Sequence, residues 1–471
     1  MKCPCIRPPG SSRLCRAVWP AVAVAACLIH TAAFAAEPPA WPQWRGPAGD
    51  GHAPSASDLP VHWSETENIT WKTPLPGRGW SSPVIGGPRI WLTTAIETPL
   101  SEAQRQRRLA GVRNAGSRTL SGPVQFHAIC LDRDTGRILH DVMLCRVDDP
   151  QPIHKLNSYA SPSPVLAGGR LYCSFGDFGT AAVDATSGQL LWTNRLLRLD
   201  HVNGPGSTPL LYNDLLIVAC DGSDVQFIAA LECGTGKLRW KTARSGKLRD
   251  DPDLKKAYGT PLIITQGGRD LLVSPAADWL YGYDPASGKE LWKLAYGDLG
   301  FSVVPKPVTA GDLLFMSTSF NQPQILAVKL KGPDTPQILW RERRAAPRMP
   351  SMLVVGSELY VVNDAGIATC LETASGKKVW TGRLGGNFSS SPLYADGRIY
   401  AGNREGETFV FRPGRAFTLE ATNQLDGSIM ASPVAVGRSI YLRTDAAIYC
   451  IEKGDSPSQP LSSKPQSSSS S

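Results

Sequence analysis

The 471-residue chain carries 49 Lys and Arg against 41 Asp and Glu, a formal net charge of +8, and 42% of its residues are hydrophobic. That apolar share excludes a wholly disordered protein. Charged residues at only 19%, with 45 Gly and 39 Pro, suit a turn-rich, strand-rich globule of roughly two to four domains or one large repeat architecture.

Residues 1–36 hold Lys2, Arg7, Arg13 and Arg16 and no acidic residue, followed by an apolar run from Ala17 to Ile29 and then Ala33-Phe34-Ala35. A basic start, a short apolar run and an A-x-A site read as a secretory signal peptide cut near Ala35. The run is shorter than the roughly 20 residues a spanning helix needs, so no transmembrane helix is expected. Val24-Ala25-Ala26-Cys27 also fits a lipoprotein signal, with Cys27 as a lipid anchor, which stands as the alternative. Both place the protein outside the cytoplasm, in a bacterial periplasm or cell envelope. Half of the +8 lies in this segment. Four of the 11 cysteines (Cys3, Cys5, Cys15 and Cys27) also lie here, leaving seven, an odd number that cannot all pair within one chain.

A leader segment at 37–67 follows, and then Asn68-Ile69-Thr70-Trp71-Lys72-Thr73, which reads as a strand with a tryptophan and no repeat of its own in front of it. From there the chain repeats. Each unit starts with a small polar residue, Pro and an aliphatic residue and passes a G-R or G-D turn into an apolar strand. A third strand then ends at an acidic residue, before a T/S-G-K turn and a strand closing on Trp. Ser163-Pro164-Val165, Gly169-Arg170-Leu171-Tyr172, Ala182-Val183-Asp184, Ser187-Gly188 and Trp192 form one clear copy. Starts fall at Pro83, Pro164, Pro209, Pro261, Pro307, Met352, Pro392 and Pro433. Most intervals are about 40–50 residues, the period of a four-stranded propeller blade. The longer first interval holds a single T-G turn, Thr135-Gly136, and is therefore one blade with an insertion at 97–123. Eight starts predict an all-β, eight-bladed β-propeller over 68–453. The last copy lacks its outer strand, so the strand around Trp71 is expected to supply it and close the ring.

Within the insertion, Ser101-Glu102-Ala103-Gln104 matches a capping box and predicts a short helix over about 102–112. Arg105, Arg107, Arg108, Arg113 and Arg118 against Glu102 supply the other half of the net charge. They read as a solvated helix face or as a basic handle for an acidic partner or headgroup. The rest of the mature chain is neutral, which offers nucleic acid no track. Cys130, Cys370 and Cys450 recur at one repeat position and read as small buried hydrophobes, while a pairing such as Cys220 with Cys233 stays open. Residues 454–471 are Ser/Pro-rich and read as a disordered tail.

The copies resemble the tryptophan-docking repeat A-x-D-x-x-T-G-K-x-x-W of PQQ-like (quinoprotein dehydrogenase-like) β-propellers. The opening Trp41-Pro42-Gln43-Trp44-Arg45-Gly46-Pro47 and Gly49-Asp50-Gly51-His52 look like the leader of exported bacterial members. The resemblance implies that Trp71, Trp192, Trp240, Trp292, Trp340 and Trp380 each pack on the next blade. It departs where His140 replaces the Trp of blade 1, where Leu330 to Pro336 stretches a turn and where Arg412 to Phe417 erodes one.

The loops entering the innermost strands share one face, where binding on a rigid scaffold tends to live. Arg78, Trp80, His154, Asn157, Tyr159, His201, Asn203, Tyr258, Phe301, Arg348 and Asn387 are its ligand-binding candidates, with Phe388 as a further aromatic at the channel mouth. Asp221 and Asp224 are weak candidates for a cation such as Ca²⁺, being equally good turn residues. Two functions remain in play. One is a non-catalytic envelope scaffold with protein partners and no cofactor, similar to the propeller lipoprotein of the outer-membrane β-barrel assembly machinery. The other is a dehydrogenase of alcohols or sugars using PQQ with Ca²⁺. The resemblance implies for the latter a vicinal cysteine pair, which this sequence lacks, and no catalytic residue is assigned. Fold by itself does not decide between them.

Overall fold

The computed structural model describes residues 40–330 and 336–454. The segment read as a signal peptide, Cys27 within it, residues 331–335 and residues 455–471 lie outside the described residues. Eight antiparallel blades of four strands follow one another along the chain, blade 1 running Val84–Gly86, Arg89–Glu97, Val124–Asp132 and Ile138–Val147 from channel to rim. The middle strands are buried on both faces, as in Leu215–Asp221, because each blade is covered by a neighbour on either side, and they therefore read as continuous apolar runs. The rim strands alternate, as in Ile69–Pro74. That strand pairs antiparallel with Ala447–Ile451 and serves as the fourth strand of blade 8.

Tryptophan docking sets the outer contact between blades. In five blades the Trp faces a small residue of its own sheet, next to a register shift: Ala182 opposite Trp192, Ala230 opposite Trp240, Gly282 opposite Trp292, Ala327 opposite Trp340 and Cys370 opposite Trp380. Cys450 faces Trp71 and Cys130 faces His140 in the same way. The recurring cysteines are thus the small residue that a large ring requires. All seven cysteines among the described residues are free thiols, Cys220 and Cys233 included.

Trp71, Trp192, Trp240, Trp340 and Trp380 then each lie over a turn of the next blade. Trp71 Nε1 donates to Arg133 O at 3.0 Å, Trp192 Nε1 to Cys233 O at 3.0 Å and Trp340 Nε1 to Thr373 O at 3.0 Å. The turn glycines Gly136, Gly236, Gly288 and Gly376 have positive φ, and a Cβ on any of them would strike the docked ring. Burying one indole contributes up to about 6 kcal/mol before entropy. Where the motif departs, the contact survives in another form. His140 stacks on Trp91 at 5.9 Å and abuts Gly188, and Phe417 of blade 7 meets Trp380 at 5.2 Å.

A second set of links rings the channel. In seven of the eight blades the small polar residue that opens the unit accepts a hydrogen bond from the backbone N–H at the same position of the preceding blade. Ser82 N donates to Ser163 Oγ, Ser163 N to Thr208 Oγ1 and Thr208 N to Thr260 Oγ1. Lys306 N donates to Ser351 Oγ, Ser351 N to Ser391 Oγ, Ser391 N to Ser432 Oγ, and Ser432 N returns to Ser82 Oγ at 2.9 Å. The last bond joins blade 8 to blade 1, and buried Arg443 reinforces that seam by donating to Ser81 O, Ser81 Oγ and Thr93 O.

The leader threads the channel inside this ring. Trp41 exchanges backbone hydrogen bonds with Ile85 of blade 1, Pro42 O accepts from Leu166 N of blade 2, and His52–Ala53 adds a parallel strand to Leu393–Ala395 of blade 7. Arg45, 2% exposed, donates to Met352 O of blade 6 at 2.6 Å. Residues 40–67 are therefore part of the propeller core.

Deleting residues 68–75 should bare the Ala447–Ile451 edge and sharply lower the melting temperature, whereas a small shift overturns the closing role of this strand. Gly288→Ala should cost about 2–4 kcal/mol in urea denaturation, from left-handed strain and displacement of Trp240.

Candidate functional site

The inner strands all start at one face, and the loops leading into them surround a cavity of about 850 Å³. That volume lies within the ~300–1,000 Å³ typical of ligand pockets. Its floor is Trp44 of the leader, whose Nε1 lies 3.3 Å from Ser432 Oγ, together with ring hydroxyls such as Ser163 and Thr208.

Trp80, His154, Asn157, Asn203, Tyr258, Phe301, Arg348 and Asn387 all reach this cavity. Several of them chiefly shape its loops. Asn157 Nδ2 donates to Asn203 O at 2.8 Å and to Pro205 O at 3.1 Å, pinning the loop of blade 2 to that of blade 3. Tyr258 OH donates to His201 O at 2.6 Å, and burial drives its phenol far above the usual range. Asn387 Nδ2 donates to Glu405 Oε1 at 2.8 Å. Trp80 Nε1 donates to Leu156 O at 3.1 Å, and Arg78 stands behind the indole, its guanidinium 5.0 Å from the ring, rather than on the cavity wall.

Three expected mouth residues belong to the core instead. Tyr159 is fully buried and its OH donates to Gln151 O. His201 is 5% exposed, its Nε2 accepts from Asp177 N at 2.9 Å, and burial pushes the imidazole down to about 4, so it is neutral. Phe388 packs on Phe409 at 5.9 Å. Loop residues are frequently drawn inward to anchor the loop, and sequence spacing cannot show which ones. The weak cation candidates are also spent: Arg244 holds buried Asp221 through two hydrogen bonds, and Asp224 accepts from Asp200 N.

The insertion differs from a free basic handle. Glu102–Leu109 is helical, and Ser101 and Gln104 form its capping box. Its arginines, however, turn back onto the protein. Arg105 pairs with Glu102, Arg108 with Asp149, and Arg118 donates to Asn203 Oδ1. Arg113 spans to the loop of blade 4, reaching Asp251 at 2.6 Å and Asp253 at 3.0 Å. Of the five, only Arg108 and Arg113 meet acidic residues of other segments, Asp149 and the Asp251/Asp253 pair, which tertiary placement brings opposite them. The insertion thereby becomes a clasp along one side of the cavity. Arg113 and Asp253 N–H hold Asp251 down at about 2, so the clasp stays charged until the pH falls through that value.

Sequence reasoning missed Trp44, Arg113, Phe320, Asp364 and Arg404 as wall residues. Arg348 lies over Phe320 at 5.9 Å, and its backbone N–H donates to Asp364 Oδ2 at 2.6 Å. Lys256 is buried against Phe301 at 5.2 Å, and burial lowers its amine from the usual range. His154 is held toward the neutral form by burial and by Arg118 and Lys155. Asp251, Asp253 and Asp364 thus already have partners, and among the described residues no three His, Cys, Asp or Glu side chains converge on a possible metal position. On this wall Asp251 and Asp253 are engaged by Arg113, and Asp364 accepts from the Arg348 backbone N–H.

The family profile described as outer membrane protein assembly factor BamB matches residues 53–264, 176–348 and 244–459 in overlapping registers. Among solved structures, the quinohemoprotein alcohol dehydrogenase from Comamonas testosteroni is similar with a TM-score of 0.58 at 10% identity, over 91% of this chain and 83% of that one. The quinohemoprotein alcohol dehydrogenase ADHIIG from Pseudomonas putida HK5 gives 0.56 at 10% identity, over 91% and 82%. BamB from Moraxella catarrhalis is 12% identical over 73% of this chain and 92% of that one, with a TM-score of 0.48. At such identities the likeness shows the fold alone. No curated protein matches the sequence.

Arg113→Ala should leave the unfolding midpoint nearly unchanged, as exposed ion pairs contribute little, while amides of Glu102–Leu109 exchange faster in hydrogen-exchange mass spectrometry. Tyr258→Phe should cost about 1 kcal/mol in thermal or urea denaturation by stranding the buried His201 carbonyl.

Proposed function

This chain belongs to the PQQ-like repeat family described as outer membrane protein assembly factor BamB, and on that premise we propose that it is an exported, non-catalytic scaffold of the bacterial cell envelope. A protein partner docks on its loop face, with an acidic, apolar-tipped segment in the central cavity. The observation that carries this reading is the balance of the wall. Its carboxylates are internally paired, while Trp44, Trp80, Phe301 and Phe320 present rings and Arg348 and Arg404 present cations. Arg404 Nε is buried without an acceptor among the described residues. Such a wall attracts carboxylates and aromatic or aliphatic tips, the composition of interface hot spots. Chemistry has less support. His154 Nδ1 accepts from Leu156 N at 3.2 Å, which leaves it poorly placed as a general base, and the hydroxyls beneath it are committed to the ring. Export rests on the character of residues 1–36, and among the described residues no helix is long and apolar enough to cross a membrane.

A photo-crosslinking residue at Leu156, on the cavity rim, should give a discrete protein adduct in the envelope, whereas one at Leu339, on the outer rim strand, should not. Trp80→Ala with Arg348→Ala should weaken the Leu156 adduct at least about tenfold, equivalent to ~1.4 kcal/mol. Equal adducts at the two positions would overturn the loop-face reading. Substrate-dependent dye reduction after adding PQQ and Ca²⁺ would overturn the non-catalytic one.

A further inference from the structure

The hydroxyl ring is interrupted once. At the position where seven blades carry Ser or Thr, blade 5 carries Lys306, and the Thr260 amide of blade 4 has no hydroxyl to donate to. The Lys306 backbone keeps its place in the ring through Ser351, so the exchange removes a side-chain acceptor without displacing the strand. The side chain runs to the leader instead. A Cβ on Gly49, at φ +68°, would lie 2.3 Å from Lys306 Nζ, so glycine there makes room for the amine.

Lys306 lines a second cavity, of about 330 Å³, between the leader and the inner strands of blades 2, 3 and 4. Val165 and Leu166, Leu210 and Leu211, and Leu262 and Ile263 give it an aliphatic side, Pro42, Gln43 and Ala48 of the leader lie across from them, and nearly half of the lining surface is polar. The Lys306 residue is 3% exposed and lines the cavity, and its hydrogen bond to Ser351 Oγ is made by the backbone rather than by the amine. The charged groups that act on it are Arg45 and Asp50 of the leader; the blade walls of the cavity bring none. Asp50 Oδ1 already accepts from His52 N, and Arg45 Nε and Nη1 are buried without partners. A crevice with one aliphatic side therefore ends at a concentration of positive charge that one carboxylate only partly offsets. A buried cation without an acceptor is costly, and an anion supplied from outside removes that cost.

We propose that this cavity binds a monocarboxylate with an apolar tail of medium length, the carboxylate accepting from Lys306 Nζ and the tail lying along the aliphatic side. This site is separate from the loop-face cavity and does not depend on the function assigned to that face. Burial and Arg45 push the free amine down to about 7. A bound carboxylate favours the ammonium form, so binding takes up a proton. Affinity is then full below about pH 7 and falls by up to about tenfold per pH unit above it, until the raised value of the complex is reached.

The test is calorimetric titration of the full mature chain with octanoate between about pH 6 and about pH 8.5. Hexanoate and 1-octanol serve as comparisons. Octanoate should bind with proton uptake and weaken above neutral pH, and affinity should rise about fourfold per methylene over hexanoate. 1-Octanol should lack the pH dependence. Lys306→Ser, which returns a hydroxyl to the Thr260 amide, and Lys306→Met, which keeps the length without the charge, should each lose at least about tenfold while remaining folded. No binding by the folded wild type, equal binding of octanoate and octanol, or undiminished binding by both variants would overturn the proposal. Displacement of octanoate by sulfate with no gain per methylene would also overturn it, reassigning the site to inorganic anions.

Discussion

Everything in this molecule hangs on how one blade is fastened to the next. The fastening is made twice, at two radii, by side chain to backbone. At the channel, a Ser or Thr hydroxyl of one blade accepts from the amide of the preceding one, and the chain of bonds returns from Ser432 to Ser82. Toward the rim, an indole lies on a glycine turn of the following blade, as Trp192 does on Gly236. Strand pairing within a blade does not cross to its neighbour, so these two rings, with loop bonds such as Asn157 to Asn203, supply the directional contacts that non-directional burial does not. The hydroxyls are small and still satisfy a buried amide.

Because the hydroxyl ring narrows the channel, the leader can fill it, and filling it creates two chambers with different chemistry. Trp44 closes the loop-face chamber from below, leaving a wide space walled by rings and guanidinium groups. On the leader's other side is a narrower crevice, aliphatic on one side, with Lys306 at one end. One segment of chain, invisible to the repeat pattern, thus sets the depth of both.

The sequence was most legible where the signal is periodic. The eight starts and the T/S-G-K turns give the blade count directly, and the spacing of Cys130, Cys370 and Cys450 already marks them as small core residues. Their places opposite His140, Trp380 and Trp71 give the reason. Legibility fell in the loops. Trp80 and Phe301 line the cavity, yet Tyr159, Phe388 and His201, no different in residue type or position, turn inward to hold the loops that carry the others. The arginines of the insertion read as a free basic face because their partners, Asp149, Asp251 and Asp253, are remote in sequence.

By itself, then, the sequence determined an all-β propeller of eight blades, six of them carrying a docking tryptophan. A blade is a local unit, and its hydrophobic alternation, turn glycines and docking residue all lie within some forty to fifty residues, the period of such a unit. Only the tertiary structure decided what the two chambers present to a ligand. The direction of a loop side chain depends on which distant groups pack against it, and Lys306 is the clearest instance. In the chain it is one irregular residue before a proline. In the fold its amine lines a cavity, with Gly49 of the leader beside it and inner strands from three other blades in front of it.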